Sequence, residues 1–290
     1  MSAAAEGGAR ADLHAHTTAS DGVYPPAELV RRCAAAGLWA VAVTDHDSLA
    51  GLAEARQAGA RLGVQVFAGV ELSCLYADGS GRRYDIHLLG LFLSDRAEQR
   101  LNRVEAHLEA RRRQRLERGR EIVRRLGAVG VPLVWSEVEA EAAGGSVGRP
   151  HVARVLIRHG LARDIDDAFA RFLSPGRPGH VEHTPLTVPQ ALAWVRAGGG
   201  AAVWAHPSLA ELDAAAAPWL DLLDGLEADH PKQDASVRAR LRALAKERGL
   251  IATGGSDCHG TAGREEVAVC TTPAAEVAAL SERGLSRATA

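Results

Sequence analysis

Seven short apolar runs, rich in β-forming residues, limit the possible folds of this 290-residue chain more than any other feature. Nearly all of them carry a histidine or an acidic residue at or near their carboxyl end, and several are preceded by a helical pattern. This alternation predicts a parallel sheet with crossover helices. Because the carboxyl ends of parallel strands meet at one face, we expect these polar side chains to converge there. The runs span 11–16, 39–46, 64–71, 84–91, 200–206, 224–230 and 249–259.

The alternation of strand and helix patterns stops between about residues 95 and 183. A long arginine-rich helical pattern fills the first part of this segment, with eight arginines between residues 111 and 125. We therefore expect a discontinuous α/β domain made of residues 10–95 and 184–290. Residues 96–183 are predicted to form a helical insertion over the mouth of that domain.

Composition excludes several classes of protein. A hydrophobic content of 47% is ample for a buried core, and a net charge of −2 argues against a general attraction to nucleic acid or anionic membranes. The four cysteines have no CxxC spacing, which argues against a thiolate metal site and suits a reducing compartment. No apolar stretch approaches the length of a membrane span. We expect a soluble, cytoplasmic protein.

Two histidines separated by one residue end the first run, in LHAH (13–16). Strand side chains alternate with a period of two, so His14 and His16 point to the same face and suit a shared metal ion. The pair alone fits two ordinary strand histidines equally well. Asp21 follows in the loop TTASDG and is close enough to fold back over the same face, although a loop aspartate is usually a turn or capping residue.

Further side chains that commonly bind metal ions end the next runs. His46 follows a nearly all-apolar strand, where a polar side chain must be hydrogen-bonded, exposed or coordinated, and we favour coordination. Glu71 ends the third run, His87 lies within the fourth and His206 ends the fifth.

The last run repeats the spacing of the first, because GGSDCH (254–259) offers Asp257 and His259 two residues apart. This recurrence is the strongest internal indication of a metal centre. His230 and Gln233, which follow the sixth run, fit either a role at the same site or a surface loop.

Four motifs resemble, in order, those of the PHP (polymerase and histidinol phosphatase) family. They are LHAHTTASDG (13–22), AVTDHD (42–47), AHP (205–207) and GSDCHG (255–260), with GVE (69–71) and DIHLLG (85–90) between them. The resemblance covers about residues 11–272 and implies a distorted seven-stranded (β/α) barrel with a helical insertion. Within the family, the chain is most similar to stand-alone phosphoesterases.

The resemblance also implies two to three divalent ions, with Glu71 bridging between them. Manganese is expected from the family, and the histidine and carboxylate donors are also compatible with iron or zinc. Divalent ions activate water and stabilise the attacking and leaving oxygens of a phosphate ester. Catalytic roles are implied for Asp21, His46, Glu71, Asp257 and His259. The implied ligand sets are His14, His16, Glu71 and Asp257 for one ion, Glu71, His87 and His206 for a second, and Asp21, His46 and His259 for a third.

Substrate-binding residues are expected in the insertion. The apolar residues of the arginine-rich helix form a stripe along one face, and its continuation passes through Arg112 and Arg115, so these side chains are candidates to face inward. Arginine binds phosphate in a bidentate manner, which makes both residues candidates to bind the substrate. The segment SVGRPH adds Ser146, Arg149 and His151, the last because related insertions carry a similar Arg-Pro-His. The alternative for the arginine run is a solvated helix face.

The resemblance implies hydrolysis of nucleotide phosphate esters, either 3′,5′-bisphosphonucleosides with release of phosphate or short RNA from its 5′ end. The expected partner is then a small nucleotide or short RNA, with no membrane and no obligate protein partner. Two alternative functions are a histidinol-phosphate-type phosphatase and a catalytically silent module that binds metal or nucleic acid. An amidohydrolase is disfavoured, because neither Lys232 nor Lys246 lies on an early or middle strand to serve as a carboxylated bridge.

Overall fold

The structure is a computed structural model that describes residues 8–182, 186–208 and 219–288. Within these residues one sheet holds nine strands, and the seven predicted runs each contain one of its main strands. The strands are β1 (Arg10–Ala15), β2 (Ala40–Val43), β3 (Gln65–Ala77), β4 (Arg83–Phe92), β5 (Leu186–Thr187), β6 (Ala201–Trp204), β7 (Gly225–Asp229), β8 (Ile251–Gly254) and β9 (Thr272–Pro273).

The sheet curls into a nearly closed barrel. Its strand order is β8-β7-β6-β4-β3-β2-β1-β9, and the two-residue strand β5 pairs with β3. The chain after β8 returns to β1, where the amide of Asp257 donates to the carbonyl of His14 at 2.8 Å and the amide of His16 donates to the carbonyl of Cys258 at 2.9 Å. These two bonds bring the first and last predicted metal motifs together, and the barrel class predicted from the resemblance is confirmed.

Strand β4 departs from the expected parallel arrangement. It runs antiparallel to both β3 and β6, because only residues 78–82 join β3 to β4 and this turn is too short for a crossover helix. The Asp78 carboxylate stabilises the turn by accepting from the amides of Ser80 and Arg82. The reversal places His87 opposite Ser73, near Glu71, so that a residue in the middle of β4 lies where the neighbouring parallel strands end.

Helices surround the barrel and form the insertion. A single turn of π-helix follows α7 at Phe169–Leu173, and a 3₁₀ turn lies at Leu220–Leu222. The α-helices in the described residues are α1 (Pro26–Ala35), α2 (Leu52–Leu62), α3 (Asp95–Glu98), α4 (Asn102–Ala128), α5 (Trp135–Glu141), α6 (Arg149–Arg158), α7 (Ile165–Ala168), α8 (Val188–Ala197), α9 (Ala235–Glu247) and α10 (Ala274–Arg287). No helix in the part of the chain that the structure describes is long and apolar enough to cross a membrane.

The long helix α4 joins two hydrophobic cores. Val104 and Leu108, in its first half, belong to the barrel core, whereas Ile122 and Leu126, in its second half, belong to a separate core formed by α4 to α7 and the π-helical turn. Residues of α4 therefore reach from the barrel wall into the insertion. The predicted boundary between residues 183 and 184 lies outside the described residues.

Candidate active site

The structure brings all nine predicted metal ligands together at the carboxyl end of the barrel. Within each of three overlapping groups, the candidate ligand atoms lie within 4.8 Å of one another. Glu71 belongs to two groups and His16 to two, so the groups form one continuous cluster. The groups are His14, His16, Glu71 and Asp257; Glu71, His87 and His206; and His16, Asp21, His46 and His259.

The first group forms around the two histidines of β1. Their Nε2 atoms are 3.2 Å apart and both face the barrel mouth. The Glu71 Oε2 atom lies 3.0 Å from Nε2 of His16 and 3.3 Å from Nε2 of His14, and Asp257 Oδ1 lies 3.4 Å from each. Four donor atoms therefore surround one point, as a divalent cation requires.

The second group uses the other oxygen of Glu71. Its Oε1 atom lies 2.6 Å from Nδ1 of His87 and 3.2 Å from Nε2 of His206. His206 follows β6 with a backbone φ of 33°, in the left-handed region that side chains rarely adopt. Because Glu71 contributes one oxygen to each group, it has the geometry of a bridging ligand.

The third group lies over the loop that follows β1. Asp21 Oδ1 is 3.4 Å from Nε2 of His259 and 3.7 Å from Nδ1 of His16, while Asp21 Oδ2 is 3.9 Å from Nε2 of His46. The imidazoles of His16 and His259 stack with ring centroids 4.1 Å apart. The loop aspartate thus folds back over the same face as the strand histidines.

The electrostatics of the cluster fit bound cations. Burial alone would raise the pKa of Glu71 and of Asp257, but neighbouring imidazoles outweigh it and hold both pKa values well below the ordinary range. Burial lowers the pKa of His46 to about 3, which keeps its imidazole neutral and able to donate an electron pair. The buried Nδ1 of His46 has no hydrogen-bond partner among the described residues. This nitrogen lies 3.4 Å from Oε2 of Glu71. The donor set as a whole suits divalent metal ions.

Glu227, on β7, holds two of the candidate ligands in place. This buried carboxylate lies 3.1 Å from Nδ1 of His14 and accepts a 2.8 Å hydrogen bond from the amide of His206. Metal-binding imidazoles usually donate their second N–H to such a group, which fixes the ring and its tautomer. The sequence interpretation missed Glu227; the signal was an acidic residue within an apolar strand.

His230 orients Asp257. Its Nδ1 atom accepts a 3.2 Å hydrogen bond from the amide of Lys232, so the ring proton lies on Nε2 and donates to Asp257 Oδ2 at 3.2 Å. His230 is buried, with 1% of its surface exposed, which rules out a surface-loop position. Gln233, three residues later, donates to the carbonyl of Pro207 at 3.1 Å and lines the same cavity.

A cavity of about 390 Å³ opens onto the metal-ligand cluster. Lys232 and Arg264 lie on its wall, and Arg264 is 3.0 Å from Asp257. Burial and the neighbouring Arg264 lower the pKa of Lys232. Neither cation was predicted as a substrate-binding residue. They give this wall of the cavity positive charge beside the cluster.

The residues predicted to bind substrate from the insertion occupy different environments. Arg115 donates to Asp47 at 2.5 Å and to the hydroxyl of Ser73 at 3.2 Å. Arg149 is partly buried, and its guanidinium lies over the ring of Phe169. Arg112 is exposed and lines a second cavity, formed with residues 47–50 and the start of α4, so the structure does not bring it to the metal-ligand cluster.

Ser146 and His151 are both buried against the loop that carries Asp21. The amide of Ser146 donates to Ala19, and its hydroxyl has no partner within the described residues. The Nδ1 atom of His151 accepts from the amide of Gly148 at 2.9 Å, and its Nε2–H donates to the carbonyl of Ser20 at 2.8 Å. Both ring nitrogens of His151 are therefore engaged within the protein.

The chain resembles known proteins over most of its length. It is 35% identical over 259 residues to the 5′-3′ exoribonuclease Rnm of Salmonella typhimurium, covering 86% of this chain and 84% of that relative. It is 34% identical over 272 residues to the 3′,5′-nucleoside bisphosphate phosphatase of Chromobacterium violaceum, covering 89% and 90%. The crystal structure of a Bifidobacterium adolescentis protein described as a metal-dependent phosphoesterase superposes with a TM-score of 0.78 and 30% identity, covering 94% and 96% of the two chains.

The barrel, the cluster of ligand side chains and these likenesses define a metal-dependent hydrolase of phosphoric esters. Residues 12–123 match the PHP domain. The chain belongs to the PHP domain family, as its four motifs predict.

Proposed function

We propose that the protein hydrolyses nucleotide phosphate esters, either 3′,5′-bisphosphonucleosides with release of phosphate or short RNA from its 5′ end. The observation that carries this proposal is the cluster of nine ligand side chains centred on Glu71, which opens into a cavity bordered by Lys232 and Arg264. The relatives named above act on a 3′,5′-nucleoside bisphosphate and on RNA, which are both polyanions built from nucleotides.

Three ions, manganese by family resemblance, would occupy the three groups of ligands. When bound, they supply electrophilic stabilisation of the phosphate oxygens and an activated water. Asp21, His46, Glu71, Asp257 and His259 would hold the ions closest to the reacting phosphate. Glu227 would keep the rings of the first and second groups in position.

Cationic side chains would bind the phosphate groups. Lys232 and Arg264 lie on the cavity wall beside Asp257 and His259, where they are placed to contact the phosphate that is cleaved. Their charges also favour entry of an anionic substrate into the cavity.

A second phosphate would bind beyond His87, on the β3–β4 hairpin. Asp85 lies two residues before His87 on the same face of β4, which corresponds to a separation of about 7 Å along the strand. Asp85 interacts electrostatically with Arg118 and Arg149, and Arg115 lies near both arginines. Burial and the neighbouring arginines lower the pKa of Arg118 to about 10, which indicates crowded positive charge. An anionic group of the substrate would neutralise it.

The same arrangement supports the proposed division of the chain, in which residues 10–95 and 184–290 carry the metal ions and residues 96–183 select the substrate. A histidinol-phosphate-type phosphatase has no need for a second anionic site, so the arginines favour the nucleotide. The four cysteines are unpaired and buried, in keeping with a reducing, cytoplasmic location.

The test is phosphate release in the presence of Mn²⁺ from adenosine 3′,5′-bisphosphate, AMP, histidinol phosphate and a short 5′-phosphorylated RNA. Asp257→Ala removes a ligand, and Asp221→Ala, at an exposed carboxylate of the barrel, is the matched control. We expect turnover of the bisphosphate or the RNA by the wild type and the control, and none by Asp257→Ala. Turnover confined to histidinol phosphate, or absent with all four compounds, contradicts the proposal.

A further inference from the structure

The loop of residues 17–22, which carries Asp21, is held from two sides. On the barrel side, the buried carboxylate of Asp45 accepts hydrogen bonds from the amide and hydroxyl of Thr17 and from the hydroxyl of Ser20, at 2.7–2.8 Å. Asp45 thus accepts from three hydrogen-bond donors of the loop. The outward-facing carbonyls of the loop need other partners.

The insertion supplies those partners at three consecutive carbonyls. The amide of Ser146 donates to Ala19 at 2.9 Å, and Nε2 of His151 donates to Ser20 at 2.8 Å. The guanidinium of Arg154 donates to the carbonyl of Asp21 itself. One donor from the α5–α6 connection and two from α6 therefore fix the backbone on which the Asp21 carboxylate stands.

Gly145 brings the insertion unusually close to this loop. A Cβ atom at this position would lie 2.5 Å from the carbonyl oxygen of Thr18 and 2.7 Å from the carbonyl carbon of Ala19. Both of these atoms belong to the backbone, so neither can move aside as a flexible side chain would. Only glycine allows the three hydrogen bonds to form at their observed lengths.

We propose that the insertion positions Asp21 for metal binding, and that His151 and Arg154 are positioning residues that do not contact the substrate. The inference rests on the proposed metal centre and deepens it. The third ion would be held by Asp21, His46 and His259, and both the barrel and the insertion would then determine how tightly it binds. Both ring nitrogens of His151 are used in this contact, which leaves none for a phosphate group.

The start of α6 orients the ring of His151 towards the loop that carries Asp21. His151 is the third residue of α6, where its Nδ1 accepts from the amide of the capping residue Gly148. This bond fixes the ring and leaves Nε2–H directed at the carbonyl of Ser20. Glutamine is a common residue at this helix position and carries both an acceptor and a donor, so His151→Gln is the conservative variant.

The test is a calorimetric titration of the metal-free full-length protein with Mn²⁺ alone, so that no substrate is needed. We expect His151→Ala to weaken the binding of one Mn²⁺ by about 10- to 100-fold and to leave the other ions unchanged, because groups that hold ligands in place contribute on this scale. His151→Gln should restore most of the lost affinity. His159→Ala is the matched control, since this histidine of the same segment bonds to Glu137 within the insertion.

Gly145→Ala tests the same contact by adding bulk instead of removing a donor. It should weaken the same Mn²⁺, and thermal unfolding of the metal-free variants will show whether they remain folded. If His151→Ala does not fold, the Mn²⁺ affinities of Gly145→Ala and Arg154→Met are compared with that of the wild type instead. Mn²⁺ binding equal to that of the wild type in all three variants overturns the inference, as does a rise in KM with unchanged metal binding, which identifies a substrate contact.

The outcome for the wild type separates this inference from the proposed function. A wild type that binds Mn²⁺ but hydrolyses none of the four phosphate esters contradicts the proposed substrate, and the metal titration of the variants still decides the role of the insertion. A wild type that binds no Mn²⁺ contradicts the metal centre and the inference together.

Discussion

The barrel and the insertion distribute charge in opposite ways. Residues 96–183 carry 17 arginines and 12 acidic residues, whereas the rest of the chain carries 17 basic and 24 acidic residues. In the barrel, the acidic residues of the site are buried at the carboxyl ends of strands, where they can gather cations. In the insertion, arginines line the helix that faces the barrel. This difference is in keeping with the proposed division, in which the barrel would perform the chemistry and the insertion would bind the anionic substrate.

The largest effect should come from the centre of the barrel. Glu71→Gln removes the charge shared by two groups of ligands, and metal stabilisation of a phosphate ester is worth several kcal/mol, so we expect kcat to fall by about 1000-fold or more. Phosphate release under saturating Mn²⁺ measures this. The exposed Glu247→Gln on α9 is the control. Activity within tenfold of the wild type would contradict the role of Glu71 as a ligand shared by two metal ions.

A smaller effect is expected one contact away from the ligands. Glu227→Gln keeps the shape of the side chain and removes the charge beside His14, so Mn²⁺ affinity should fall by about 10- to 100-fold while the metal-free protein stays folded. Titration calorimetry compares this variant with Glu247→Gln. Unchanged affinity would mean that Glu227 serves packing within the barrel alone.

The insertion should affect binding more than chemistry. We expect Arg149→Met to raise KM for the bisphosphate by about tenfold with little change in kcat, since a charged hydrogen bond to phosphate contributes about 1.5–3 kcal/mol. The matched variant Arg112→Met, at an exposed residue of the second cavity, should leave both constants unchanged. Steady-state kinetics separates the two. A large fall in kcat for Arg149→Met would contradict the proposal that the insertion binds the substrate while the barrel performs the chemistry.

The smallest effect is expected on the outer face of α4. Arg124 is exposed and paired with Glu121 one turn away, and exposed ion pairs of this kind contribute little to stability. Arg124→Ala should change neither the free energy of unfolding nor RNA turnover beyond experimental error. A marked loss of RNA binding at low salt would instead identify this face as part of a nucleic-acid surface.

Much of the barrel could be predicted because strand patterns and ligand residues coincide. The seven apolar runs each contain a main strand, and the regular placement of His14, His16, His46, Glu71 and the later ligands at strand ends predicted their convergence. Alternation with a period of two gives the face of a side chain but not the direction of its strand. For this reason the antiparallel β4 was not anticipated, although His87 was.

The insertion was harder to predict because its contacts depend on packing across the two cores. Helical periodicity places Arg111, Arg112 and Arg115 on one broad stripe, but Arg111 is buried and Arg112 exposed. Consecutive residues of a helix point about 100° apart, so which of the two faces inward depends on how α4 packs against its neighbours. His151 was placed at the site on the basis of its motif. Its hydrogen bond to Ser20, 131 residues away, has no signature in local spacing.

The most direct test of the account is to locate the ions in crystals of the Mn²⁺-loaded protein by anomalous scattering at the manganese edge. We expect up to three peaks among the nine ligand side chains, with Glu71 between two of them and Asp21 beside the third. Peaks at other positions, or none near Glu71, would contradict the assignment of this barrel as a metal-dependent phosphoesterase centre.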